Sequence, residues 1–336
     1  MKKIILMIVL LMLVILVLSA KVVPLPGLLK PYQVRVDESK IYIVEGAAIC
    51  IYSLKDFSFL KKFGKEGEGP QEFIIPPPGG VEIVVQPDFL LVSSPGKISY
   101  LTKEGEFKKE IKVTAIMHSG FFPIGKSFVG FGMKQEDNII YYTINIFDTD
   151  LKKGNEVFRF KSPLQPGKVD FITASRRPLL STFENKIFHG GEEGEIYVFD
   201  ASGKKISTIS HKYEKVKLSD KHKKRYIDFF KTDPRFKQGW ERFRDGVQFP
   251  GYFPVIRDLT VSDGKIYVLT YKEKEKKREF YLSGIDGKQL KKIMLPLPEM
   301  NPLELYPYTI RNNTLYQIID NDDSEEWELH ITKIEL

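Results

Sequence analysis

A repeat constrains this chain more than any other feature of its sequence. Short stretches of alternating apolar and polar residues recur in groups, each closed by a polar turn. Residues 40–44, 48–52 and 57–63 form one group, and 89–92, 97–101 and 107–113 the next. The third has 127–132, 139–147 and 156–160; the fourth has 186–188, 195–199 and 205–209; the fifth has 265–269, 279–282 and 289–294. A sixth has only 314–318 and 328–334. Alternation with period two marks β-strands.

Taking Asp56, Gly105, Leu151, Gly203, Gly287 and Leu336 as equivalent points, the spacings are 49, 46, 52, 84 and 49 residues. The dipeptides Glu104-Gly105, Ser202-Gly203 and Asp286-Gly287 suit tight hairpins, because glycine takes positive φ without steric cost. A further strand precedes each group, most clearly at 32–36, 81–85 and 255–261. Four strands per repeat of about 40 to 50 residues specify a propeller. The expected fold is therefore all-β, a six-bladed β-propeller over residues 21–336. The sixth group lacks its outer strand, and an open sheet edge invites aggregation. Residues 21–30 are the natural donor, since an edge strand tolerates Pro24 and Pro26.

Between the first two groups runs Gly67-Glu68-Gly69-Pro70-Gln71-Glu72-Phe73. It resembles the Gly-x-Gly-Pro-Gly-Glu-Phe element of NHL-like six-bladed propellers. In particular it is similar to that of exported bacterial six-bladed β-propeller proteins, and it departs from the pattern at Gln71. The resemblance implies the architecture and no single activity. Such propellers bind protein or RNA, and a few are lyases or hydrolases. The loop is no phosphate cradle. It lacks the terminal Gly-Lys-Ser/Thr, and the prolines 76–78 that follow cannot begin a helix interior. Its glycines instead let the chain cross between blades, with Phe73 packed in the seam.

The first twenty residues stand apart. Lys2 and Lys3 precede an unbroken apolar run over 4–18, then Ser19 and Ala20. This is the pattern of a secretory signal peptide, or of an uncleaved anchor through residues 4–20. Either implies an extracytoplasmic, periplasmic or secreted location. The single cysteine, Cys50, rules out an internal disulfide and any zinc site needing two thiolates.

The long fourth spacing locates an insertion at residues 212–250, between blades four and five. Ser219 is placed to cap a helix, and Asp233-Pro234 to start a second. Phe236, Trp240, Phe243 and Val247 follow at spacings that make one amphipathic stripe. The chain's net charge is +7, and residues 212–245 alone carry twelve basic and six acidic side chains. The remainder is close to neutral. The densest piece, Lys221, Lys223, Lys224 and Arg225, is the candidate anionic-surface patch, for lipid headgroups or acidic glycans. Export makes nucleic acid an improbable partner.

Catalytic signatures are lacking. The five histidines show no metal spacing or His-Glu-x-x-His motif, and no Gly-x-Ser-x-Gly elbow occurs. Asp148-x-Asp150 lacks the glycine and distal glutamate of a calcium loop and fits a hairpin turn. No cofactor is expected, though a divalent metal in the channel stays open. Candidate binding residues are Arg176, Arg177, His189, Tyr252 and Arg257, expected at one mouth of the channel, with Trp240 nearby from the insertion. Arginines and aromatics suit an acidic or sugar-like ligand. The expectation is a monomeric, non-catalytic binding or scaffold protein that recognises a protein, peptide or glycan at the channel mouth. The alternative is a lyase or hydrolase with a metal in the channel.

Overall fold

The computed structural model describes residues 21–335, apart from 76–78, 114–119, 177–178 and 322. The expected export segment and Arg177 lie outside the described residues. Six four-stranded antiparallel sheets form the blades of a propeller. The first strands of neighbouring blades approach one another around the axis.

The middle strands explain the packing. In blade one, Lys40–Glu45 is apolar at four successive positions. Ile41 and Ile43 pack towards blade six, with Tyr316, Ile318 and Trp327. Tyr42 and Val44 pack towards blade two, with Ile83, Leu90 and Val92. Successive side chains point to opposite sheet faces, and both faces are buried. Blade five repeats the rule: Ile266 and Val268 face blade four, while Tyr267 and Leu269 face blade six. The core is thus a set of apolar seams between blades rather than one central cluster.

Lys21–Pro24 closes the ring, pairing antiparallel with Glu326–Lys333 as the outer strand of blade six. Leu25 and Leu28 are buried beyond it, and the Trp327 Nε1–H donates to the Leu29 carbonyl at 3.1 Å. The segment with a glycine-rich resemblance behaves as expected. Phe73 is fully buried in the seam between blades one and two. Gln71 sits at φ 60°, a left-handed region where a glycine would be unstrained.

Strand direction defines two faces. The turns joining strands one to two and three to four lie on one side, the turn face. The hairpins joining strands two to three, and the crossings between blades, lie on the other, the connection face. On the turn face Thr102, Asp148 and Asp200 each accept backbone N–H groups two and four residues on, at 2.9–3.3 Å. Asp148 is therefore a turn residue. Positive φ occurs at Gly105, Leu151, Gly203 and Gly287, as the repeat register requires. In blade one it falls at Phe57 (64°), one residue beyond Asp56.

The insertion is a crossing on the connection face. Ser219 caps the helix Asp220–Thr232, and Asp233 caps the short helix Pro234–Lys237. The expected stripe is not one helix. It breaks at Gln238 and Gly239 into Trp240–Phe243 and a 3-10 turn, Arg244–Gly246. All four stripe residues still pack with Tyr226 and Phe230 in one aromatic cluster. Phe171 and Ile172 from the blade three-to-four crossing, Tyr271 from blade five and Leu303 from the next crossing complete it. The helices are thereby seated on the propeller face.

Candidate functional site

A cleft of about 360 Å³ opens on the connection face, where the insertion meets blade five. Three segments build it. Residues 214–217 with His222, Arg225 and Tyr226 come from the insertion, Phe253, Arg257, 271–273 and Arg278 from the entry and the long second hairpin of blade five, and Glu299 from the crossing into blade six. That hairpin pairs Lys265–Lys274 with Lys277–Gly284, so its tip stands above the face.

Glu299 is the hub. Its Oε1 accepts from Arg257 Nη1 and lies beside Arg278 Nη2, each at 2.8 Å, and its Oε2 lies 2.7 Å from Arg225 Nη1. Arg278 Nη2 also donates to Glu273 at 2.7 Å, and its Nε donates to the Leu297 carbonyl at 3.0 Å. Arg257 and Arg278 are buried, whereas the Arg225 side chain is 54% exposed. Burial works against the Glu299 charge, yet Arg257 and Arg278 hold its carboxyl below the usual range. Burial likewise opposes the Arg257 charge, and Glu299 and Tyr271 more than restore it. Arg278 is left below its ordinary value by burial and by the Arg257 charge.

Aromatic rings form the wall. Phe253 stacks on Tyr271 with centroids 4.6 Å apart and planes at 17°, and the Arg257 guanidinium lies 5.0 Å from the Tyr271 centroid. His222 meets Phe253 edge-on at 5.1 Å. Its Nδ1 accepts from the Ser219 N–H at 3.2 Å in a reciprocal cap, which fixes the ring.

The structure brings three of the candidate residues together. Arg176 Nη1 donates to the Ile256 carbonyl at 2.8 Å, beside Arg257 in the chain, and burial pulls its guanidinium below the ordinary value. His189 sits nearby, with Nδ1 3.1 Å from the Leu179 carbonyl and its ring stacked on Phe160. Burial pushes its pKa down to about 4, so the ring is neutral at pH 7. Trp240 and Tyr252 lie apart. Trp240 stacks on Phe230 inside the insertion, and Tyr252 is 52% exposed while its neighbour Phe253 lines the cleft. The basic patch divides. Arg225 turns to Glu299 and Lys223 lies 3.5 Å from Asp220, while Lys221 and Lys224 are exposed with no carboxylate in ion-pair reach among the described residues.

No family model and no curated protein matches this chain. Many solved structures resemble it, two of which serve as examples. One is BamB from Moraxella catarrhalis, at 10% identity and TM-score 0.33, covering 89% of this chain and 71% of that one. The other is BBS1N in complex with ARL6DN, at 11% identity and TM-score 0.39, covering 88% and 74%. At these TM-scores neither likeness bears on the site.

Sequence reasoning missed Arg278 and Glu299. Residues 272–279 are eight consecutive charges, which read as a solvated run. Folding that run about Glu275 and Lys276 would have found Arg278, because the hairpin register sets it opposite Glu273 and beside the buried Phe280. Among the described residues, no group of three His, Cys, Asp or Glu side chains is placed to hold a metal. The cleft's chemistry is that of guanidinium and ammonium groups around a carboxylate, which suits recognition of anionic or hydrogen-bonding groups.

Proposed function

We propose that this chain is an exported, non-catalytic propeller that binds a protein, peptide or glycan on its connection face. One observation carries the reading: buried arginines from separate segments converge in a cleft where the insertion meets blade five. Such a constellation costs desolvation free energy and is placed where propeller crossings are free to vary. The apolar run over residues 4–18 supports export. The Gly67–Phe73 element supports an NHL-like relationship. Two measurements test the proposal. Residues 1–30 fused to a reporter active only outside the cytoplasm should give activity, and a silent fusion sinks the export reading. The purified protein should contain no tightly held divalent ion, and a stoichiometric one would overturn the non-catalytic reading in favour of a metal-dependent lyase or hydrolase.

A further inference from the structure

We infer that the cleft takes a carboxylate, and that the carboxylate is an acidic side chain of a bound peptide. This rests on the connection-face reading above and names its ligand class. The lining carries six basic side chains, Lys215, Lys217, Arg225, Arg257, Lys272 and Arg278, against Glu214, Glu273 and Glu299. Two of the cations are buried and share one oxygen of Glu299. A guanidinium has five N–H donors, and Glu299 takes one from Arg257, at Nη1. Six cations against three carboxylates leave the lining net positive, which draws an anion to it.

Arg225 is the exposed member, and an exposed ion pair holds weakly. It can leave Oε2 of Glu299 and clasp a ligand carboxylate while Arg257 and Arg278 stay fixed. The ring faces favour a peptide over a sugar. Sugars rest on free aromatic faces, and here Phe253 and Tyr271 cover each other while Arg257 covers the second ring. The cup already holds one amino-acid carboxylate, Glu299, presented by a loop. At about 360 Å³ it admits a side chain or two rather than a polymer.

Calorimetric titration of the full folded protein with acetyl-pentaglutamate amide, trigalacturonic acid and maltopentaose tests this. Pentaglutamate should bind. Arg225→Gln, on an exposed side chain, should weaken it by about tenfold, as loss of a charge-assisted contact does. Glu299→Gln should bind about tenfold tighter, because the internal competitor is gone; a merely structural Glu299 would not give a tighter complex. Lys221→Ser with Lys224→Ser should leave affinity unchanged, and a loss there overturns the cup in favour of a diffuse charge effect. No pentaglutamate binding, or binding indifferent to Arg225→Gln, overturns the inference. If trigalacturonate or maltopentaose binds instead and protects the amides of 214–217 and 271–279 from exchange, the connection-face reading stands and the acidic peptide falls. If a bound ligand protects neither stretch, both fall.

Discussion

The two faces of this propeller are built by opposite rules. On the turn face, short loops repeat one device, a side-chain oxygen holding two backbone N–H groups, and they tie neighbouring blades together. Asp37 of blade one accepts from Tyr42 at 2.9 Å and from Lys103 of blade two at 2.6 Å. Asp263 of blade five accepts from the Asn312 N–H of blade six at 2.6 Å, and Tyr267 donates to Asn313 at 3.1 Å. On the connection face the described crossings differ, from the parallel pairing of Lys65–Glu66 with Glu72–Phe73 to the helices after Ser219. The contrast separates labour: one face keeps the ring in register, and the other holds the helices and the cleft.

The largest expected effect probes whether the insertion belongs to the ring. Phe230 is fully buried, with rings of Phe171, Phe236 and Trp240 around it. Phe230→Ala should cost about 3–5 kcal/mol in urea unfolding. A single transition would show insertion and ring melting together, and a separate early one would show that the connection face unfolds alone.

Next is the turn face. Burial opposes the Asp37 charge, but Lys103 and the N–H groups of Ser39 and Lys40 hold its pKa down to about 2. A folded pKa below the unfolded value stabilises at higher pH. The contribution of Asp37 is therefore complete above its ordinary value and is lost as pH falls towards about 2. Asp37→Asn should cost about 1–3 kcal/mol near neutrality and flatten that stretch of the acid profile. An unchanged profile would mean that the blade-to-blade tie contributes nothing.

The smallest effect has the opposite sign. Glu275 and Lys276 turn the blade-five hairpin at φ 54° and 61°, where side chains are strained. Lys276→Gly should stabilise by about 1 kcal/mol, seen as a modest rise in Tm. A fall would place an interaction of Lys276 above the relief of backbone strain.

The same contrast explains what could be read beforehand. Blades, turn residues, the closing strand and the caps at Ser219 and Asp233 were legible, because each follows from local periodicity or from a residue type with one backbone preference. The cleft was only half legible. Arg257 stood out near a blade entry, but Glu299 is a lone carboxylate 42 residues from its Arg257 partner. Arg278 was hidden in a charged run of which only the tip is solvated. Trp240 was a sound aromatic signal for the wrong reason, since the insertion needs it for its own core.

The clasp at Lys21–Pro24 ties the order of folding to the order of synthesis. Its partners, Glu328 to Ile331, lie some three hundred residues along the chain, so this contact is the most non-local in the ring. Five blades can form from local hairpins as they emerge, whereas the sixth waits for both ends. Until then the apolar side chains Leu25 and Leu28 lack their Trp327 seat. Removing either end of the chain would leave the same sheet unfinished, and the incomplete ring would present an open edge for its neighbours to pair with.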